Sequence, residues 1–377
     1  MKTFRIPMLV LLLLAVPALA FAQHPLGGDL PVSAGGAAAQ RFPHLAANAM
    51  GEFVVTWVGA HAHDSGYSLY AIRYSANGKP ATDQILVSDQ AQNVAANSAV
   101  AIMDDGSFVV LFPKTDGTGP ALAARWYTPE GDVAGNDGVV TRNFAPNFSL
   151  STRGDGGFVA VWEGSAASVS ARVFKPDHSA GSEIVVDPAG TDPVVAVGPR
   201  GGFVVAWKKG QILARRFTPQ GQAAGGSFVV DSGISGAGPG AGNNLHIGKE
   251  DDGDFLILWS SGSNVFGRRY SSDTRPLDGL LRMTAGANYD AAIGGKGNFV
   301  LVWESPDPGS QGTNVFARRF KSTGAPLGPQ IRVNQHAKGS QAAPQVGIGA
   351  DGGFVVVWQS LPDATPSGIF ARRFDRK

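Results

Sequence analysis

The pattern Gly-x-Phe-[Val/Leu]-x-x-[Trp/Phe] occurs seven times in this chain, with its Phe at 53, 108, 158, 203, 255, 299 and 354. Self-similarity at such a period restricts a chain to repeat architectures, in which each unit buries its apolar surface only by stacking on the next. In an extended segment Phe354, Val356 and Trp358 share one face, and Val355 and Val357 share the other. Both faces are apolar, so the strand is expected to be covered on both sides.

Four further features keep step with this strand. A Gly stands two residues before each Phe, at 51, 106, 156, 201, 253, 297 and 352, commonly as Asp-Gly, the pair that a tight hairpin turn selects. Upstream lies a strand with one small residue in a fixed place: Ala46, Ala101, Ser151, Ala196, Gly248, Ala292 and Gly347. Small side chains suit strands crowded around an axis. Downstream come a third strand of the form Ala-Arg-Arg-Phe, as at 214–217, 317–320 and 371–374, and a fourth of the form Ile-x-Val followed by a polar residue, as at 331–334 and 184–187.

Four antiparallel strands per unit and seven units predict an all-β fold, a seven-bladed β-propeller. The ends of the chain predict how the ring closes. The last unit stops at Lys377 after its third strand, while Pro25-Leu26-Gly27-Gly28-Asp29-Leu30-Pro31-Val32-Ser33 matches Pro326-Leu327-Gly328-Pro329-Gln330-Ile331-Arg332-Val333-Asn334 column by column. Residues 29–33 are therefore expected to supply the missing fourth strand of blade seven, covering an edge open to aggregation.

The Gly-Gly-Phe-Val-Val-Val-Trp-Gln-Ser and Ile-Phe-Ala-Arg-Arg-Phe segments resemble a tandem repeat of exported bacterial proteins, including large calcium-associated exoproteins. The resemblance covers residues 23–377 and implies a propeller-like repeat with no assigned activity. Members often carry an Asp- and Gly-rich insert after Trp-Gln-Ser, here eroded to fragments such as Asp116-Gly117 and Asp307-Pro308-Gly309.

Residues 1–22 read as a signal peptide: Lys2 and Arg5, then the apolar run from Ile6 to Ala20, then Ala20-Phe21-Ala22 before Gln23. The remaining 23–377 form one domain, exported to the periplasm or the medium. Nothing after the signal approaches the ~20 apolar residues of a spanning helix, so no membrane insertion is expected. Removing Lys2 and Arg5 leaves 29 basic against 30 acidic side chains, a net charge of −1 and no basic patch for nucleic acid. There is no Cys, hence neither disulfide nor thiolate metal site.

Several residues suggest chemistry. Arg125, Arg172, Arg215, Arg268, Arg318 and Arg372 share one column of the third strand, placed to stack on aromatics and reach a neighbouring carbonyl; a residue repeated in nearly every blade reads as architecture. Glu250-Asp251-Asp252-Gly253-Asp254 and Asp104-Asp105-Gly106 invite calcium, but Asp-Gly is what tight turns select on backbone grounds. No cofactor is therefore expected, calcium being the one alternative. His61-Ala62-His63-Asp64 has a metal-like spacing without a further ligand. His44, His246, Asp290 and Gln345 fall in one column of the innermost strand, with Ala99, Ser149 and Val194 in the other blades, so no closed ligand ring is expected. No Gly-x-Ser-x-Gly elbow and no P-loop occur.

The part that varies is the connection between strands two and three. It is short in blades three to five and long in blade one (Val58 to Ser68), two (Pro113 to Pro120), six (Glu304 to Asn314) and seven (Gln359 to Gly368), which adjoin once the ring closes. Extension over one sector of one face predicts a binding surface. Its polar and aromatic groups are His61, His63, Asp64, Tyr67, Lys114, Asp116, Asp307, Gln311, Asn314 and Asp363. The expected function is a monomeric, non-catalytic exported module that binds or scaffolds a protein or glycan. The alternative is a hydrolase or lyase acting on a polymer at the channel mouth.

Overall fold

Alternating apolar residues on both faces of a strand leave it no solvent side, and the computed structural model shows how the chain resolves this. The structure describes residues 23–33, 40–60, 66–88, 98–232, 245–261, 264–284, 286–306, 312–336, 339–361 and 368–376. Its strands form seven four-stranded antiparallel sheets, and the described residues contain no helix. Each sheet is a blade of a seven-bladed β-propeller.

The core is a series of seams between blades. Blade one presents Phe53, Val55 and Trp57 to Val355, Val357 and Ala371 of blade seven, and turns Val54, Val58 and Ala71 toward Phe108, Val110 and Phe112 of blade two. Every described pattern Phe is at most 3% exposed, as double-sided burial requires. At about 25 cal/mol per Å² of buried apolar surface, these inter-blade faces supply the main stabilisation of a chain with no disulfide.

The innermost strands come close together where their side chains are small. A Cβ at Gly248 would collide with the Ile293 side chain of the next blade, and one at Gly347 would lie 2.8 Å from the Ala47 Cβ. The seven hairpin glycines adopt φ between 75° (Gly297) and 95° (Gly253), the left-handed region that Asp-Gly turns need.

The ring closes as the sequence match requires. Leu30–Pro31 completes the sheet of blade seven, with Leu30 opposite Ala371 and Pro31 opposite Phe370. The equivalent pairs in blade six are Ile331 with Ala317 and Arg332 with Phe316. Arg372 Nε reaches Gly27 O at 3.3 Å as Arg318 Nε reaches Gly328 O at 3.0 Å. The Arg column is thus architectural in these blades: Arg215, Arg318 and Arg372 lie over Phe217, Phe320 and Phe374 of their own strands.

Candidate functional site

Start of strand one, end of strand two and start of strand three share one face of each blade, so this face carries the variable connections. The second strands are six residues long in blades three and four (Phe158–Glu163, Phe203–Lys208), but eight, nine and eight in blades one, two and six (Phe53–Ala60, Phe108–Asp116, Phe299–Pro306). At about 3.3 Å per residue, two or three extra residues raise those blades by roughly 7–10 Å. Blade seven, between six and one, has seven (Phe354–Ser360).

The expected loops are therefore partly strand. In blade two the segment read as a loop from Pro113 to Pro120 is a continuous hairpin, Phe108–Asp116 paired with Gly119–Tyr127 across Gly117-Thr118. Asp116 makes this turn: its Oδ1 accepts Thr118 N at 2.9 Å and Thr118 Oγ1 at 2.7 Å, and its Oδ2 pairs with Arg142 Nη2 at 2.8 Å. The Arg142 hydrogen bond, followed by those of Thr118, holds the carboxyl well below the ordinary range.

Other sector candidates separate in the structure. Tyr67 is half-buried on the third strand of blade one, with the exposed Arg41 guanidinium 5.6 Å from its ring centroid. Lys114 Nζ pairs with Asp137 Oδ2 at 3.0 Å. Asn314 corrects the sequence expectation. It is fully buried, because it lies within the strand Thr313–Phe320 and its Oδ1 accepts the Asn334 amide at 2.6 Å, tying the strand to the blade's outer edge. His61, His63, Asp64, Asp307, Gln311 and Asp363 lie outside the described residues.

Sequence reasoning missed the construction of the channel mouth. In four blades the innermost strand enters through a residue of positive φ, Phe42 (54°), Asp192 (52°), Asn288 (46°) and Ala343 (49°), each at a register shift. Each stands two residues before His44, Val194, Asp290 or Gln345 and sets the direction of that side chain. Two bulges are capped from the preceding blade: Glu163 Oε2 accepts Asp192 N at 3.2 Å, and Glu304 Oε1 accepts Ala343 N at 2.7 Å. The sequence signal was the Glu directly after the pattern Trp in blades three and six. Asp192 is further held by Lys208 Nζ at 3.0 Å.

Deeper in the channel, His246 Nδ1 lies 3.3 Å from Asp290 Oδ1, and Asp290 Oδ2 accepts Val346 N at 2.7 Å, linking blades five, six and seven. Burial raises the Asp290 carboxyl to about 7 and lowers the His246 imidazole to about 4, the nearby Lys208 charge acting in the same direction on the imidazole. The Tyr289 ring meets His246 edge-on at 5.0 Å. Among the described residues no group of three or more His, Cys, Asp or Glu is arranged to hold a metal ion.

No protein-family model matches the chain, and no curated protein does. Solved structures do. A structure of the Dos1 propeller covers 95% of this chain and 96% of its own at 12% identity, with a TM-score of 0.50. The likeness is one of fold. A protein of unknown function from Dyadobacter fermentans covers 93% of this chain and 98% of its own, at 10% identity and a TM-score of 0.48.

Proposed function

We propose that the chain is an exported, non-catalytic binding propeller that holds a protein or glycan on the loop-bearing face of blades six, seven, one and two. The observation that carries this reading is the lengthening of the second and third strands in blades one, two and six. A raised wall on a rigid ring is a platform for recognition, and it costs the inter-blade seams nothing. The His246–Asp290 pair has the composition of an acid–base site, but its side chains are 17% and 13% exposed and one carboxylate oxygen already serves Val346. Joining blades is the role this geometry supports.

The test uses residues 23–377 immobilised on beads, probed with a glycan array and with envelope and culture extracts. Replacing Arg41 and Tyr67 by Ala should weaken capture of what the wild type retains, in a protein that loses some melting temperature with the half-buried Tyr67 ring but stays folded at the assay temperature. Undiminished retention by the double variant would place the binding surface elsewhere. Export is checked by fractionation and intact mass: a mature chain starting at Gln23 is expected outside the cytoplasm, and an uncleaved 39.0 kDa chain inside it would refute the signal reading.

A further inference from the structure

Blade two departs from the repeat where the other blades are most alike. Six blades carry Trp at the end of the pattern and blade two carries Phe112. Opposite that column stand Tyr70, Phe266, Phe316 and Phe370 in blades one, five, six and seven, stacked on their Trp with centroids 5.8, 6.2, 6.3 and 6.1 Å apart. Opposite Phe112 stands Ala123. Two rings are thus replaced by one ring and a methyl group.

The vacated space is an open cleft. A cavity of about 340 Å³ lies between blades one and two, lined by Leu86, Val87, Phe112, Lys114, Thr115 and Arg125. Arg125 also leaves the pattern of its column: its guanidinium lies 5.2 Å from the Phe112 ring rather than over the aromatic two residues on. It pairs with Asp137 at 2.6 Å (Nε to Oδ1) and 2.8 Å (Nη2 to Oδ2), and donates to the Val87 carbonyl. Lys114 shares the same carboxylate. Two cations against one anion leave the wall with a charge of +1, and an ammonium bound to one carboxylate oxygen keeps further N–H donors.

We propose that this cleft binds an acidic sugar, a pyranose ring bearing a carboxylate, with the carboxylate on Lys114. The inference rests on the sector reading above and names its ligand class. The wall supplies what such a ring needs. Lys114 meets the anion, Thr115 offers a hydroxyl partner for the ring hydroxyls, and Leu86, 54% exposed, gives an aliphatic surface for the C–H face. A glutamate side chain would engage Lys114 and leave the cleft largely unfilled.

The experiment is titration calorimetry on residues 23–377 at low salt with trigalacturonate, a neutral trisaccharide and hexaglutamate. Trigalacturonate should bind, and the neutral sugar and the peptide should bind at least about tenfold more weakly, the worth of one charge-assisted contact. Lys114→Gln should lose at least that factor. Phe112→Trp, which restores the ring found in the other six blades, should close the cleft and abolish binding; if that variant does not fold, Lys114→Gln carries the test. Absence of trigalacturonate binding, or affinity unchanged in both folded variants, overturns the proposal. Hexaglutamate binding as tightly with the same Lys114 dependence overturns the sugar assignment. Capture of another glycan that depends on Tyr67 and Arg41, without uronate binding, overturns the cleft and leaves the sector reading standing.

Discussion

His246 Nδ1 and Asp290 Oδ1 face each other at 3.3 Å across the boundary of blades five and six, and together they hold one proton over most of the acidic range. With Asp290 raised to about 7 and His246 lowered to about 4, the folded pair binds two protons below pH 4, one between 4 and 7 and none above. The unfolded pair, with ordinary values near 3.9 and 6.5, binds one proton over almost the same window. Stability depends on pH only where the two states bind different numbers of protons, so the intact pair contributes almost no slope.

Breaking the pair should expose two slopes of opposite sign. In Asp290→Asn, His246 alone keeps a lowered value, its stabilisation is complete above about pH 6.5, and stability falls as pH drops toward 4. In His246→Gln, Asp290 alone keeps a raised value, its stabilisation is complete below about pH 4, and stability falls as pH rises toward 7. Each slope should accumulate roughly 3–4 kcal/mol over its window, read by urea unfolding at half-unit pH steps. Parallel curves for the two variants would show that the residues do not share a proton.

His44 has the same column position in blade one, and burial lowers its imidazole to about 4. A lowered histidine stabilises fully above about pH 6.5 and loses that contribution as pH falls through 4. The wild type should therefore lose stability on acidification in this window, and His44→Gln should flatten the curve. A variant that keeps the wild-type slope would assign it to another group, such as His178, which burial also lowers.

How much of this was legible follows from which residues repeat. The Phe, Gly and small-residue columns occur seven times because every inter-blade seam poses the same packing problem, so blade number and closure could be read directly. Lys114 and Asp116 were misplaced in a loop because Pro113, Gly117 and Pro120 read as turn residues. The backbone register, with Lys114 opposite Ala121 and Asp116 opposite Gly119, carries strand pairing to the tip, where Asp116 caps the turn through Thr118. Asn314 looked available because polarity marks surface, but a polar side chain inside a strand is equally satisfied by Asn334. The His246–Asp290 contact depends on the channel radius and on the bulge at Asn288, and no column in the sequence encodes either.

The small column gives a packing prediction with an internal control. At Gly248 an added methyl meets the Ile293 Cβ, which is anchored to a strand and cannot move aside. Gly248→Ala should cost about 1–3 kcal/mol, the usual range for overpacking. Gly117→Ala, at the hairpin tip with no heavy atom within 4 Å of the new Cβ, should leave unfolding within about 0.5 kcal/mol of wild type. Equal effects at the two sites would mean that the innermost strands are not crowded.

The seam offers the most direct test of the ring. Val32 is 6% exposed, Ser33 Oγ accepts Ile369 N at 3.0 Å, and Asp29 Oδ2 accepts Gln335 N at 2.9 Å, so residues 24–33 join the end of the chain to the connection between blades six and seven. Deleting 24–33 removes the strand that pairs with Gly368–Phe374, and the lost burial and hydrogen bonds should lower the melting temperature by on the order of 10 °C. It should also bare the edge of that strand, which is a template for another chain. Light scattering should then show concentration-dependent association of the deletion protein. Asp29→Ala, which keeps the strand and removes only the contacts to Gln335 and His336, should lower the melting temperature by a few degrees without association. A deletion protein that melts like the wild type and stays monomeric would mean that the ring closes without this strand, and the alignment of Pro25–Ser33 with the outer strand of blade six would lose its physical basis.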